Sequence, residues 1–228
     1  VPNNNKRIPS ETIVLPPGKA LFATLHPDKP DAKYDPTNPT WSIRVVWEGE
    51  ARKQVEQLLG PYVPRSLETM RERLIEEARE KGDKIKEKKA EAMESELPWR
   101  EVLNRETAEP TGEIEIVFKR PSMRKDRNSG VLVPNSPPAT VNRQAEIIPG
   151  LVIPNRSIVQ VKMATWPVFF QNDNKAGIKK LLESVQLISL PAARKPDASG
   201  FQKYEDDGAD EAPADAPQGT APVGGADY

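Results

Sequence analysis

Cations and aromatic rings, rather than nucleophiles, are the side chains of this sequence best placed to do chemistry. Lys119–Arg127, KRPSMRKDR, packs five cations and one acid into nine residues around a proline. Further on, Arg156–Trp166, RSIVQVKMATW, alternates strictly enough to be read by faces. Ser157, Val159, Val161, Met163 and Thr165 make one face, which reads as core. Arg156, Ile158, Gln160, Lys162, Ala164 and Trp166 make the other, which leads into Phe169-Phe170 and the polar turn QNDNKAG. Cations beside rings suit single-stranded nucleic acid. Ammonium and guanidinium groups meet backbone phosphates, and each base stacked on a ring is worth about 1–3 kcal/mol. Duplex DNA hides its base faces, so rings would do little there. The bland alternatives stay open at this point: each ring could pack a barrel end, and KRPSMRKDR could be a solvated loop.

Other chemistries lack their parts. There is no cysteine, hence no disulfide framework, thiolate zinc site or Cys nucleophile. The single histidine, His26, sits in a proline-rich stretch and reads as an ordinary loop residue. Asp28, Asp31 and Asp35 alternate with prolines and read as turn residues rather than cation ligands. Neither phosphate-cradling glycine pattern, GxxxxGK[ST] or GxGxxG, occurs. The expectation is a protein that is not an enzyme and needs no cofactor or metal.

The charge is unevenly placed. Overall, 33 Lys and Arg face 34 Asp and Glu, but Glu205, Asp206, Asp207, Asp210, Glu211, Asp215 and Asp227 all fall in the last stretch. That stretch has no cation and ends on Tyr228, so residues 1–203 carry a net charge of +6. A basic body attached to an acidic tail points to nucleic acid or another acidic surface as partner. No apolar run approaches about 20 residues, and VPNNNKRIPS lacks the apolar segment of a secretion signal. A soluble protein of a reducing cytoplasm, with no membrane contact, is expected.

The elements that must hold these side chains are mostly strands. Lys19–Leu25 reads as a first strand, followed by a proline-rich loop, HPDKPDAKYDPTNP. Trp41–Glu48 (WSIRVVWE) puts Trp41, Ile43, Val45 and Trp47 on one face. Gly49–Leu59 spaces Val55, Leu58 and Leu59 as an amphipathic helix stopped at Gly60-Pro61. Ser66 is the expected cap of a longer, heavily charged helix running to about Glu96. Gly112–Lys119 sets Ile114, Ile116 and Phe118 on one face; Val131–Val133 and Ala145–Ile148 read as short apolar pieces, and Ser184–Leu190 as the closing strand. Together these predict a mainly β chain with helical insertions (α+β), a small antiparallel barrel or sandwich. The expected division is a flexible arm over 1–12, one domain over 13–191 with a charged helical insertion at about 65–105, and a linker with a disordered acidic tail over 192–228.

Two stretches carry a family resemblance. SIVQVKMATWPVFFQNDNKAGIKKLLESVQLISL (157–190) resembles the C-terminal barrel segment of tailed-phage single-stranded DNA-binding proteins: a long strand, an aromatic/Asn/Lys/Gly turn, and a closing strand with Val185-Gln186-Leu187. ALFATLHPDKPDAKYDPTNPTWSIRVVW (20–47) is similar to that family's first strand, long Lys-Tyr loop and second strand, and QVEQLL falls in the helix that follows. The resemblance implies an OB-like antiparallel β-barrel that binds single-stranded DNA without sequence preference in phage replication or recombination, in the cytoplasm of an infected bacterial host. It also implies an acidic tail that competes with DNA and recruits phage DNA polymerase and helicase-primase, with a homodimer left open. Two departures stand out. The acids cluster at 205–215 ahead of a nearly uncharged spacer, and the charged segment 65–105 is long for a minimal barrel. On this reading Lys119, Arg120, Arg124, Lys125, Arg127, Arg156, Lys162 and Lys175 contact phosphates. Trp166, Phe169 and Phe170 stack bases, with Tyr34 and Trp41 behind them, and Tyr228 and the seven tail acids dock partners. The alternatives are an RNA chaperone and a non-enzymatic protein-interaction or assembly factor.

Overall fold

The computed structural model describes residues 8–33, 35–126 and 129–191. In chain order they form β1 (Glu11–Val14), β2 (Gly18–Thr24), β3 (Thr40–Trp47), α1 (Gly49–Leu59), α2 (Tyr62–Glu80), α3 (Lys84–Glu91), β4 (Glu94–Ser95), β5 (Arg100–Leu103) and β6 (Pro110–Pro121). There follow β7 (Met123–Lys125), β8 (Leu132–Pro134), β9 (Ala139–Val141), β10 (Ile158–Phe170) and β11 (Lys175–Ser189).

Period-2 patterning explains the barrel. On β3, Trp41, Ile43, Val45 and Trp47 all turn inward, opposite Ile114, Ile116 and Phe118 of β6 in the register Ile43↔Phe118, Val45↔Ile116, Trp47↔Ile114. Val159, Val161 and Met163 of β10 complete the interior with Ile178, Leu182 and Val185 of β11. Pairing runs β2–β3–β6–β11–β10, and β10 returns to β2 through Ile158↔Lys19 and Val159↔Gly18. The only parallel step among these five is β6–β11, at Leu181↔Lys119. A closed five-stranded barrel of this order is OB-like. Its two buried indole nitrogens are answered, Trp47 Nε1 donating to the Pro16 carbonyl at 2.9 Å and Trp41 Nε1 to that of His26 at 3.0 Å. Gly18 is required where Trp47 crosses: a Cβ there would sit 2.5 Å from the indole nitrogen.

The helices stand between the second and third barrel strands. α1 adds Val55 and Leu59 to the barrel core, while Leu58 stays partly exposed. α2 packs on β10 and β11, with Met70 joining Met93, Ala176 and Phe169 in a second apolar cluster. The expected single helix from Ser66 to about Glu96 is corrected. α2 starts at Tyr62, because Pro61 and Pro64 fall at its first turn, where the backbone N–H groups have no helical acceptor to lose. Ser66 is therefore a buried interior residue and caps nothing. Gly82, at φ +65°, stops the helix. Asp83 then caps α3, its side chain accepting from the Lys86 N–H at 3.0 Å.

Two strand expectations also shift. Ala145–Ile148 forms no strand and contributes one bridge, Val141↔Ile147. The closing strand begins at Lys175, well before Ser184, since it pairs with β10 almost to the hairpin turn. Among the described residues, no helix is long and apolar enough to cross a membrane.

Candidate nucleic-acid interface

Alternation that buries one face of β3 and β6 must present the other. Thr40, Ser42 and Arg44 point outward from β3, and Glu115, Val117 and Lys119 from β6, with Ser42 opposite Lys119 and Arg44 opposite Val117. The long loop after β2 forms one wall, through Asp31, Lys33, Asp35 and Asn38. Pro98, Arg100 and Lys180 form the other. The enclosed recess holds about 750 Å3. It lies on the second and third barrel strands beside the loop that joins the first two, where OB barrels take oligonucleotides. Lys180 is half-buried there. Its ammonium donates to the Pro98 carbonyl at 2.9 Å, and burial pushes its pKa below the ordinary lysine value against the pull of Glu96.

The ring in this groove is Phe22. Its register with β3 slips between Leu21 and Thr24, so Leu21 and Phe22 are both turned away from the core. Phe22 takes φ +50°, a conformation unfavourable for a bulky residue, and its N–H donates to Asn155 Oδ1 at 2.7 Å. The residue is 63% exposed. Over it lies the Arg44 guanidinium, with Cζ 5.6 Å from the ring centroid, while Arg44 Nη1 donates to Glu115 Oε2 at 3.1 Å. A backbone held in a costly conformation to display a ring is the pattern of functional sites.

The expected site residues divide by location. Lys119 is in the groove, exposed and unpaired among the described residues. Arg124 and Lys125 are exposed on the β7–β8 ribbon, which leaves the groove at Lys119: the Met123 N–H donates to Asn38 Oδ1 at 3.1 Å, and the Ser122 N–H to the Pro39 carbonyl at 2.7 Å. Arg156 lines an adjoining recess of about 680 Å3, which shares Phe22, Arg44 and Glu115 with the first. Arg120 is committed elsewhere, donating to the Ser136 and Leu182 carbonyls at 2.6 and 3.2 Å, and burial lowers its pKa. Lys162 pairs with Glu183 at 3.7 Å on the outer side of β10. Lys175 is partly covered at the hairpin end, in register with Phe170.

The expected stackers do not join this groove. Trp166 and Phe169 line a separate recess with Met70 beneath α2. Phe170 lies on Gly177, where a Cβ would meet its ring at 2.9 Å. Trp41 is corrected outright: at 3% exposure, with its indole nitrogen bonded to His26, it is core and offers no face to a base. Tyr34, Arg127 and the tail residues Glu205, Asp206, Asp207, Asp210, Glu211, Asp215, Asp227 and Tyr228 lie outside the described residues.

Sequence reasoning missed Phe22, Arg44, Arg100 and Lys180. Arg44 was legible, since it falls on the outward face of WSIRVVWE; Phe22 was not, since alternation from Gly18 and Ala20 assigns it to the core. Among the described residues, no group of three or more His, Cys, Asp or Glu lies close enough to hold a metal ion.

No protein-family profile matches this sequence, and no curated protein does. Solved structures do. The single-stranded DNA-binding protein gp2.5 of bacteriophage T7 superposes with a TM-score of 0.57 at 15% identity, covering 86% of this chain and 98% of its own. At that identity what is shared is the fold. The single-stranded DNA-binding protein of bacteriophage Enc34, in complex with single-stranded DNA, aligns at a TM-score of 0.47 and 13% identity over 81% of this chain and 89% of its own. Its C-terminal truncation gives 0.47 at 14% identity, over 79% and 86%. Those two are too distant to carry a structural argument.

Proposed function

We propose that this chain binds single-stranded DNA without sequence preference and catalyses nothing. The observation that carries the reading is Phe22, an exposed ring on a strained bulge, set among Arg44, Arg100 and Lys119 on the barrel face used for oligonucleotides. Stacking on one ring is indifferent to base identity, because every base has a π-face, and cations alongside read only phosphate. The fold shared with the T7 protein, which is described as single-stranded DNA-binding, supports the same reading. The resemblance extends it to a role in phage replication or recombination inside an infected bacterium. There the tail acids would compete with DNA for the groove and recruit polymerase and helicase-primase.

Anisotropy of labelled oligo-dT at several salt concentrations is the test. Binding that weakens as salt rises is expected, because neutralised phosphates release counterions. No binding, or binding indifferent to salt, overturns the reading in favour of a protein-interaction factor. Tighter binding to oligo-rU than to oligo-dT overturns it in favour of an RNA chaperone. Deleting 205–228 is expected to tighten binding at low salt; unchanged affinity reduces the tail to a tether.

A further inference from the structure

The groove contains an acid where a nucleic-acid site has least use for one. Glu115 projects from the middle of β6 into the recess bearing Lys119 and also into the adjoining recess bearing Arg105 and Arg156. Phe22, Arg44 and Glu115 belong to both, so they form a waist between two lobes. At that waist Arg44 is held twice, by the face of Phe22 at 5.6 Å and by Glu115 Oε2 at 3.1 Å. A strand that crosses from one lobe to the other passes over Phe22. Its phosphates then come within reach of Arg44, and in doing so meet the Glu115 carboxylate.

We propose that Glu115 is a built-in stand-in for phosphate, and that the incoming single strand displaces it from Arg44. This rests on the groove being the nucleic-acid site. A carboxylate oxygen presents to a guanidinium the same charge and acceptor geometry as a phosphate oxygen. Both side chains are partly exposed, at 40% for Arg44 and 18% for Glu115, so the exchange needs a rotamer change and no unfolding. In the free protein the pair holds Arg44 across the ring and keeps the waist near neutral. In the complex a base takes the ring face and a phosphate takes the guanidinium. Glu115 is therefore a positioning residue that also raises the threshold for weak anions, which offer a charge but no base to stack.

A double-mutant cycle on the full chain separates this exchange from general repulsion. Affinity for oligo-dT of about 20 nucleotides, long enough to span both lobes, is measured for wild type, Glu115→Gln, Arg44→Ala and the double variant, with thermal melts confirming that each is folded. Glu115→Gln is expected to tighten binding about fivefold at low salt and to steepen the salt dependence by up to about 0.7 in slope. In the Arg44→Ala background the same substitution is expected to change affinity less than about twofold. Equal tightening in both backgrounds overturns the proposal, since Glu115 then acts only through its field. No tightening in either overturns it too, since the pair then survives in the complex. If wild type fails to bind oligo-dT, the groove reading falls and takes this inference with it. The first two results overturn the inference alone.

Discussion

Replacing Phe22 by alanine and by glycine separates what the ring does for binding from what it does for folding. Losing one stacked base costs about 1–3 kcal/mol, which weakens oligo-dT binding roughly 5- to 150-fold. The folding cost is bounded by exposure. With the residue 63% exposed, a little over a third is covered. That amounts to about 70 Å2 of a side chain near 200 Å2, hence at most ~2 kcal/mol. Alanine keeps a Cβ at φ +50° and so keeps the backbone strain, whereas glycine relieves it. The glycine variant is expected to be the more stable of the two by about 1 kcal/mol, or roughly 2–4 °C in Tm for a chain of this size. Both should bind equally poorly. Their salt dependence should match wild type, because a ring neutralises no phosphate. The assay is labelled oligo-dT anisotropy across salt, beside thermal melts. Affinity within twofold of wild type in both variants refutes the stacking argument. So does a loss accompanied by a shallower salt slope, which would mean that phosphate contacts were removed instead.

Lys119→Ala is expected to weaken binding severalfold and to flatten the salt slope by about 0.7, the complement of the Phe22 result; an unchanged slope places Lys119 off the strand's path. A second test concerns the fold and pH. Tyr62 donates to Glu11 Oε2 at 2.6 Å, and Arg65 pairs with Glu11 Oε1 at 2.8 Å, tying β1 to α2. The Tyr62 hydroxyl first, then Arg65, hold the Glu11 carboxyl below its ordinary 4.5. A carboxyl depressed in the folded state stabilises it above the unfolded value and loses that contribution as pH falls through the folded one. Urea midpoints for wild type and Glu11→Gln should therefore differ at neutral pH and converge in acid; a gap independent of pH refutes the assignment.

Where one rule governed a segment, the sequence was readable. β3, β6 and β10 each bury the face that alternation assigned, because a half-buried strand leaves no other solution. α1 ends where Gly60-Pro61 predicted. Failures came where two rules competed. A bulge reversed the facing of Phe22, and nothing in KALFATL announces one, since its residues would also fit a regular strand. The next helix was expected to start at Ser66, but Pro61 and Pro64 fall at its first turn, where they cost nothing, so it starts at Tyr62. β4, β5 and β9, of two to four residues each, exist because a longer strand offers them an edge, which no local pattern records. Rings were the hardest to place. Trp166, Phe169 and Phe170 follow a cationic strand as surface stackers would, yet Trp166 and Phe169 line a recess with α2, which comes from elsewhere in the chain, and Phe170 lies on Gly177.

The groove's charge is smaller than the net +6 of residues 1–203 suggests, and that limits how binding can work. Asp31, Asp35 and Glu115 share the main recess with Lys33, Arg44, Arg100, Lys119 and Lys180. Arg44 exchanges one anion for another on the proposed mechanism, so it adds no net counterion release. Lys180 is half-buried against the Pro98 carbonyl. Arg100 and Lys119, with Arg105 and Arg156 in the adjoining recess and Arg124 and Lys125 on the ribbon, remain as exposed cations that can neutralise phosphate. Six contacts at about 0.7 each give a salt slope near 4. A strand held so lightly by charge must draw much of its affinity from stacking, which makes Phe22 matter more than any single cation. A measured slope of about 7 or more refutes this balance. It would mean that the strand leaves the groove for further cations, and the lysines of α3 beside the β10–β11 turn, where Asn174 bonds the Lys89 carbonyl, are the nearest dense set.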